Sequence, residues 1–191
     1  MKTLLRPAVT LFAALTVLTG VVYPLAVTGV AQALFPHQAN GPLVMVNGQP
    51  VGSALIGQRF SSPGHFWGRP SATGPYPYNA AVSSGSNHGP LNPALTDAVK
   101  ARIEALRAAD PGNDRPVPVD LVTASASGLD PDISLAAAYY QATRVAGTRR
   151  LPVGQVTALI EQQAERPWLG RLGEPRVNVL RLNLALDGNQ Q

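Results

Sequence analysis

The sequence contains no cysteine and only three histidines among its 191 residues. Without cysteine, a disulfide framework, a Cys-based zinc site, an iron–sulfur cluster and a cysteine nucleophile are excluded. Charge is scarce too, at 14% Asp, Glu, Lys and Arg, and no block of Lys or Arg accompanies the net charge of +4. That pattern speaks against a nucleic-acid partner. The usual catalytic signatures are missing: no Gly-x-x-x-x-Gly-Lys-Ser/Thr phosphate cradle, no His-Glu-x-x-His zinc helix and no Gly-x-Ser-x-Gly elbow. Neither Lys2 nor Lys100 has a serine three residues before it, so the Ser-x-x-Lys pair is also absent. Apolar residues are plentiful at 45%, which excludes a fully disordered chain.

The little charge there is falls unevenly. After Lys2 and Arg6 the next charged residue is Arg59, and Pro7 to Phe35 is almost wholly apolar. A bilayer core about 30 Å thick needs roughly 20 such residues in a helix, so this segment is long enough to span. Pro7 is expected near the helix start, where orphan N–H groups tolerate it, and Pro24 is expected to kink the span. A cleaved signal peptide is the alternative: Lys2 and Arg6 would be its basic end and Ala31-Gln32-Ala33 its cleavage site. The apolar run exceeds the roughly 7–15 residues of a signal-peptide core, which favours an uncleaved span. Basic residues on the short N-terminal side place that side in the cytoplasm. The expected division is a cytoplasmic N-terminus over residues 1–6, a transmembrane helix over 7–35 and one compact extracytoplasmic α+β domain over 36–191. The expected location is the inner (cytoplasmic) membrane, single-pass.

Within the domain, Pro36 to Gly41 reads as a linker. Leu43 to Val46 and Val51 to Ile56 flank Asn47-Gly48, which predicts a hairpin. Ser61 to Pro93 shows no helical or strand period and reads as a long loop held by Phe66, Trp67, Tyr76 and Tyr78. A helix is predicted from Asn92 to Ala109, with Leu95, Val99, Ile103 and Leu106 on one face. Val117 to Ala124 is a short strand or single turn. Asp130 and Pro131 predict the start of a helix that turns Ile133, Ala136, Ala137 and Tyr140 inward and ends at Gly147. Pro152 opens another, with Val156, Leu159 and Ile160 apolar. Leu180, Leu182, Leu184 and Leu186 alternate, which favours a strand over Val177 to Leu186, although Leu180 with Leu184 also fits a helix. There is no internal repeat.

Several constellations have two readings. His88 with Ser84 or Ser86 and a distant Asp would suit a hydrolase; equally they are loop residues making hydrogen bonds. Phe66-Trp67-Gly68-Arg69 is either an interface anchor, with Tyr76 and Asn87 nearby, or a loop stapled to the body by its aromatics. Ser125 to Gly128 leads toward a helix N-terminus where small residues admit a phosphate, but Asp130 puts its own charge there. Gln141 and Arg144 lie three apart on the following helix and suit a phosphate, an acidic partner or a solvated polar face.

These blocks together resemble the KdpC family, the accessory component of Kdp-type potassium-transporting ATPases. The resemblance runs through Ser53-Ala54-Leu55-Ile56-Gly57-Gln58-Arg59-Phe60, Phe66-Trp67-Gly68-Arg69-Pro70-Ser71-Ala72 and Ser84-Gly85-Ser86-Asn87. It continues through Asp120-Leu121-Val122-Thr123-Ala124-Ser125, Ser127-Gly128-Leu129-Asp130-Pro131-Asp132-Ile133-Ser134 and Gly173-Glu174-Pro175-Arg176-Val177-Asn178 to Leu186-Asp187. Ala126 and Asp132 depart from the family's usual Gly and His. The resemblance implies two partners, a channel-like potassium-binding subunit and a P-type ATPase subunit. It implies a non-catalytic accessory role in assembly and as a catalytic chaperone that raises ATP affinity. It credits a Gln with an Arg three residues on, here Gln141 and Arg144, with contact to a shared ATP, and the chain has no cofactor of its own. An outer domain cannot touch cytoplasmic ATP, so such an effect would have to run through linked conformations. The classes to set against it are a membrane-anchored Ser/His hydrolase and an anchored binding module using Trp67, Arg69 and Tyr76.

Overall fold

The computed structural model describes residues 2–167, 170 and 173–188. Residues 1–42 and 43–191 form two compact units.

The first unit is a run of helix: α1 (Lys2–Val17), a π-helical turn (Leu18–Val22), α2 (Tyr23–Leu34) and the short α3 (Pro36–Ala39). Pro7 lies inside α1 rather than at its start, since the helix begins at Lys2. Pro24 does not end the helix. A proline ring clashes with the carbonyl four residues back, here Gly20, and the wider π turn opens the ladder at that place. The Tyr23 N–H reaches the Leu18 carbonyl, five residues back. Leu4–Leu34 is a 31-residue stretch long and apolar enough to cross a membrane, with none of it buried within the chain. At 1.5 Å per residue it is about 46 Å long, more than the roughly 30 Å of a bilayer core. The expected linker at Pro36 to Gly41 is mostly the single turn of α3.

The second unit mixes helix and strand. The predicted hairpin forms from β1 (Leu43–Val46) and β2 (Gln49–Ser53), antiparallel, with Val46 opposite Gln49. Its turn residues Asn47 and Gly48 both take positive φ, the conformation that suits the twist of a two-residue hairpin. The predicted helix is α4 (Pro93–Ala109), capped by the Asn92 side chain, which accepts the Ala94 N–H. Only Leu106 is fully buried on it; Leu95, Val99 and Ile103 are half-buried. Val119–Leu121 is a single 3-10 turn.

The body is a three-stranded antiparallel sheet, ordered β3 (Asp132–Ser134), β5 (Arg176–Asn178), β4 (Ala164–Glu165), with helices packed on it. α5 (Leu135–Arg149), α6 (Val153–Gln163) and α7 (Val179–Gly188) pack in sequence, and the core runs through Ile133, Val145, Val156, Ile160, Val177, Leu182 and Leu186.

Four sequence expectations are corrected here. α5 does not start at Asp130 and Pro131. The Asp130 carboxylate accepts the Asp132 N–H, residues 132–134 pair with β5, and Ser134 becomes the cap by accepting the Ala137 N–H. Strand pairing across the chain outweighs a local capping signal. Ile133, Ala137 and Tyr140 are buried as expected, but Ala136 is exposed. α5 runs past Gly147 and closes on Arg150, which takes a left-handed φ of 57° while the Leu151 N–H returns to the Ala146 carbonyl. The expected strand over Val177 to Leu186 is strand only to Asn178 and then helix. Its buried positions, Val179, Leu180, Leu182, Asn183 and Leu186, include 179, 182, 183 and 186 at the three-to-four spacing of a helix, and the Asn178 side chain caps it by accepting the Arg181 N–H.

Leu182 is completely buried, so Leu182→Ala is expected to lower unfolding stability by about 2–5 kcal/mol. Leu91→Ala, at a side chain 95% exposed, should stay within about 0.5 kcal/mol. Urea denaturation of both variants in one detergent checks the contrast.

Candidate functional site

Residues 57–79 contain no helix and no named strand, yet Gly64, Phe66, Trp67, Gly68, Thr73 and Asn79 are buried. A buried irregular segment must find partners for its backbone N–H and C=O groups. Here two side-chain amides supply them. Asn183 on α7 accepts the Phe66 N–H at 2.8 Å and donates to the Phe66 carbonyl at 3.1 Å. Gln141 on α5 does the same for the next residue, accepting the Trp67 N–H at 2.8 Å and donating to the Trp67 carbonyl at 3.1 Å. Each amide thus pairs both ways with one residue, as a neighbouring strand would.

Arg144 completes the clamp. It donates to the Gln141 side-chain oxygen at 2.7 Å, to the His65 carbonyl at 3.1 Å and to the Pro63 carbonyl. Its guanidinium also lies 4.7 Å from the centroid of the Trp67 ring. Gln141 and Arg144 are 1% and 5% exposed, so the expected alternative of a solvated polar face is corrected. Burial pulls the Arg144 pKa down to about 10, with Asp110 opposing and Arg102 adding to the drop. The group is still charged at neutral pH, without a carboxylate in direct contact among the described residues. One turn on, Arg149 donates to the Gly64 carbonyl and pairs with Asp187 at 2.6 Å.

Ser125 and Gly128 hold the same segment further along. The Ser125 N–H donates to the Pro70 carbonyl, and the Gly128 carbonyl accepts the Ser71 hydroxyl at 2.7 Å. Gly128 has φ +68°, and a Cβ there would stand 2.5 Å from Thr73 Cγ2 and 2.7 Å from the Ser84 carbonyl oxygen. The loop's own turn is tied by Ser71, which accepts the Tyr78 N–H, and by Thr73, which accepts the Asn79 N–H and donates to the Tyr76 carbonyl. Gln141 and Arg144 therefore meet Pro63 to Trp67, whereas Ser125 and Gly128 meet Pro70 and Ser71. The four do not converge on one point.

Of the candidate interface residues, Phe66 is fully buried and Trp67 nearly so, which is the stapled-loop arrangement. Arg69 is partly exposed and pairs with Asp130 at 3.0 Å. Tyr76 and Asn87 are exposed. His88 lies beside the Asn92 side chain, and Ser84 donates to the Gly85 carbonyl, so neither pairs with the other as a base and nucleophile would. No cluster of metal-ligating side chains occurs among the described residues.

Beside the loop a cleft of about 340 Å³ is lined by Arg59, Phe60, Trp67, Arg69, Tyr78 and Arg102 among others. Arg102 on α4 donates to the Leu121 carbonyl at 3.0 Å and the Gly68 carbonyl at 3.1 Å, and lies 5.3 Å from the Trp67 centroid. Sequence reading missed Asn183, Arg149 and Arg102. Asn183 had a signal, a lone amide among the leucines at 180, 182, 184 and 186. Arg102 sits between Val99 and Ile103 on the half-buried side of α4, where a surface charge would not be placed.

Residues 5–188 match the family described as K+-transporting ATPase, c chain. The chain belongs to the KdpC family. It is 71% identical over 187 residues to the potassium-transporting ATPase KdpC subunit of Polaromonas naphthalenivorans, covering 98% of this chain and 95% of that one. It is 69% identical over 189 residues to the KdpC subunit of Variovorax paradoxus, covering 99% and 98%, and 64% identical over 187 residues to that of Herpetosiphon aurantiacus, covering 98% and 97%. As a KdpC-family chain it is a subunit of the potassium-transporting ATPase, and its partners are the other Kdp subunits. With its long apolar N-terminal helix it is a membrane-anchored one.

Gln141→Leu keeps side-chain bulk but leaves the Trp67 N–H and carbonyl unanswered. It should cost about 2–4 kcal/mol and speed amide exchange at Phe66 and Trp67 by about tenfold or more. Wild-type exchange at those two amides would contradict the clamp. Gly128→Ala should cost more than about 1 kcal/mol in the same denaturation measurement.

Proposed function

We propose that this KdpC-family subunit is a non-catalytic accessory chain, needed for assembly of the potassium pump and for raising the ATP affinity of its P-type ATPase subunit. Its second partner is a channel-like potassium-binding subunit. The chain crosses the inner membrane once through residues 7–35, with its N-terminus in the cytoplasm and residues 36–191 outside. Lys2 and Arg6 on one flank, with no further charge before Arg59, support that orientation. ATP belongs to the ATPase subunit, and this chain needs no cofactor of its own.

The observation that carries the reading is the engagement of Gln141 and Arg144. Both are buried, and both spend their polar atoms on the backbone of residues 63–67 and on each other. A nucleotide would have to displace that segment to reach them. Their part in ATP affinity is therefore that of positioning residues, with Ser125 and Gly128 in the same role further along the loop. The loop presents Arg69 and Tyr76, with Asn87 alongside, to a neighbouring subunit, backed by the buried Phe66 and Trp67. A subunit bound more tightly by one conformation of the pump shifts ATP affinity without touching ATP, because coupled sites share one free energy.

The test is potassium-stimulated ATP hydrolysis by the reconstituted pump carrying Gln141→Ala plus Arg144→Ala, with assembly checked by co-purification in mild detergent. The expected result is an intact complex whose apparent ATP affinity falls several-fold. An intact complex with an unchanged ATP titration would refute the positioning role. Orientation is read separately. The chain has no cysteine, so Ser86→Cys, at an exposed position, gives a single thiol. It should react with a membrane-impermeant maleimide in intact spheroplasts; labelling only after permeabilisation would reverse the topology.

A further inference from the structure

The cleft beside Trp67 carries more positive charge than its walls balance. Arg59, Arg69 and Arg102 reach it from two parts of the chain: the irregular segment 57–79 supplies the first two and α4 the third. No acidic side chain among the described residues lines it. Arg69 has its counter-ion in Asp130, but its Nε is buried without a hydrogen-bond partner. Arg102 gives Nε and Nη2 to two carbonyls and has no carboxylate partner, and its Nη1 makes no hydrogen bond with the described residues. Arg59 is exposed and makes no ion pair or hydrogen bond with the described residues. The two unpaired guanidiniums are close enough that Arg59 helps to lower the Arg102 pKa, after the larger effect of burial.

Two unmatched positive charges and free N–H groups in one cleft call for a ligand of two negative charges with several acceptor oxygens. A single carboxylate supplies half that charge; a phosphate group in its dianionic form supplies all of it and takes the forked N–H groups of arginine directly. Phe60, Pro70, Pro77 and Tyr78 wall the cleft and lower its exposure to water, which strengthens the attraction.

We infer that this cleft is a phosphate-binding site, in which Arg59 and Arg102 hold a phosphate dianion. The site shares no residue with Gln141 and Arg144 and does not rest on the role proposed for them. The phosphate comes either from a free ion or from a lipid headgroup bearing a phosphate monoester.

The test is isothermal titration calorimetry on the full chain in a neutral detergent, at about pH 8, where the dianion dominates. The probes are sodium phosphate, dihexanoyl phosphatidic acid and dihexanoyl phosphatidylcholine, each at constant ionic strength. Saturable binding of phosphate or of the phosphatidic acid, weakened at least about tenfold by Arg59→Gln, is the expected result. Arg59 is exposed, so this variant keeps its fold, and circular dichroism checks that it does. Arg107→Gln, an exposed position on α4 outside the cleft, should bind as wild type. Equal affinity for the two phosphate probes identifies the free ion as sufficient; at least tenfold preference for phosphatidic acid identifies the headgroup. The inference is overturned if neither phosphate probe binds up to about 10 mM. It is also overturned if Arg59→Gln leaves binding unchanged, if Arg107→Gln weakens it equally, or if the phosphatidylcholine binds as well as the phosphatidic acid.

Discussion

A polypeptide segment can be buried without helix or strand only if something answers its peptide groups, and an unanswered one costs roughly 1–3 kcal/mol. The segment 57–79 meets that condition through Gln141 and Asn183, two amides from different helices that each pair both ways with consecutive residues. A side-chain amide is the one neutral group that carries donor and acceptor at the spacing of a peptide bond. Neither Glu nor Leu can stand in: Glu lacks the donor and Leu lacks both. With Phe66 and Trp67 fixed, their rings close the core between α5 and α7. The sheet and helices and the irregular loop are therefore one packed body.

Arg144 adds a cost that the geometry explains. A buried guanidinium without a carboxylate in contact is expensive, and here its charge is spread over carbonyl oxygens, the Gln141 amide and the Trp67 face. Arg102 meets the same ring and two more carbonyls. Trp67 is thus the shared support of two cations. Lysine at either position would hold one point charge where arginine spreads five N–H donors in a plane. Both arginines are also tied to the loop's backbone, so a shift of the loop is felt at both.

Much of the fold was legible from local signals. Asn47-Gly48 between apolar runs gave the hairpin, and Asn92-Pro93 gave the start of α4. The long uncharged run from Pro7 gave the apolar helix. What failed did so where distant contacts overrule local ones. Asp130-Pro131 is a good helix start, but β3 intervenes because Val177 and its neighbours are there to pair with Ile133. The leucines from 180 to 186 satisfy a period of two as well as of three to four, and only the burial of Val179 and Asn183 separates the readings. The pairing of Gln141 with Arg144 was visible as a three-residue spacing. That both point inward was not, because nothing local says that a loop some seventy residues earlier needs its carbonyls met.

The distribution of rigidity follows from the same contacts. Residues 63–68 are held at every carbonyl, whereas Tyr76 stands exposed at the outside of a turn tied by Ser71, Thr73, Tyr78 and Asn79. Binding a partner costs the ordering of whatever was loose before, so a contact carried on a pre-set turn loses less affinity than one carried on a free loop. Pre-setting also determines what a partner can feel. A floppy loop would absorb a neighbour's motion locally, while a loop clamped to α5 and α7 passes it to the whole domain. If the subunit acts as proposed, by favouring one conformation of the pump, only the second arrangement couples the contact to anything beyond itself. In the proposed role, an amide and an arginine buried under an irregular loop supply that coupling, because they answer its backbone and fix it to α5, which apolar side chains cannot do.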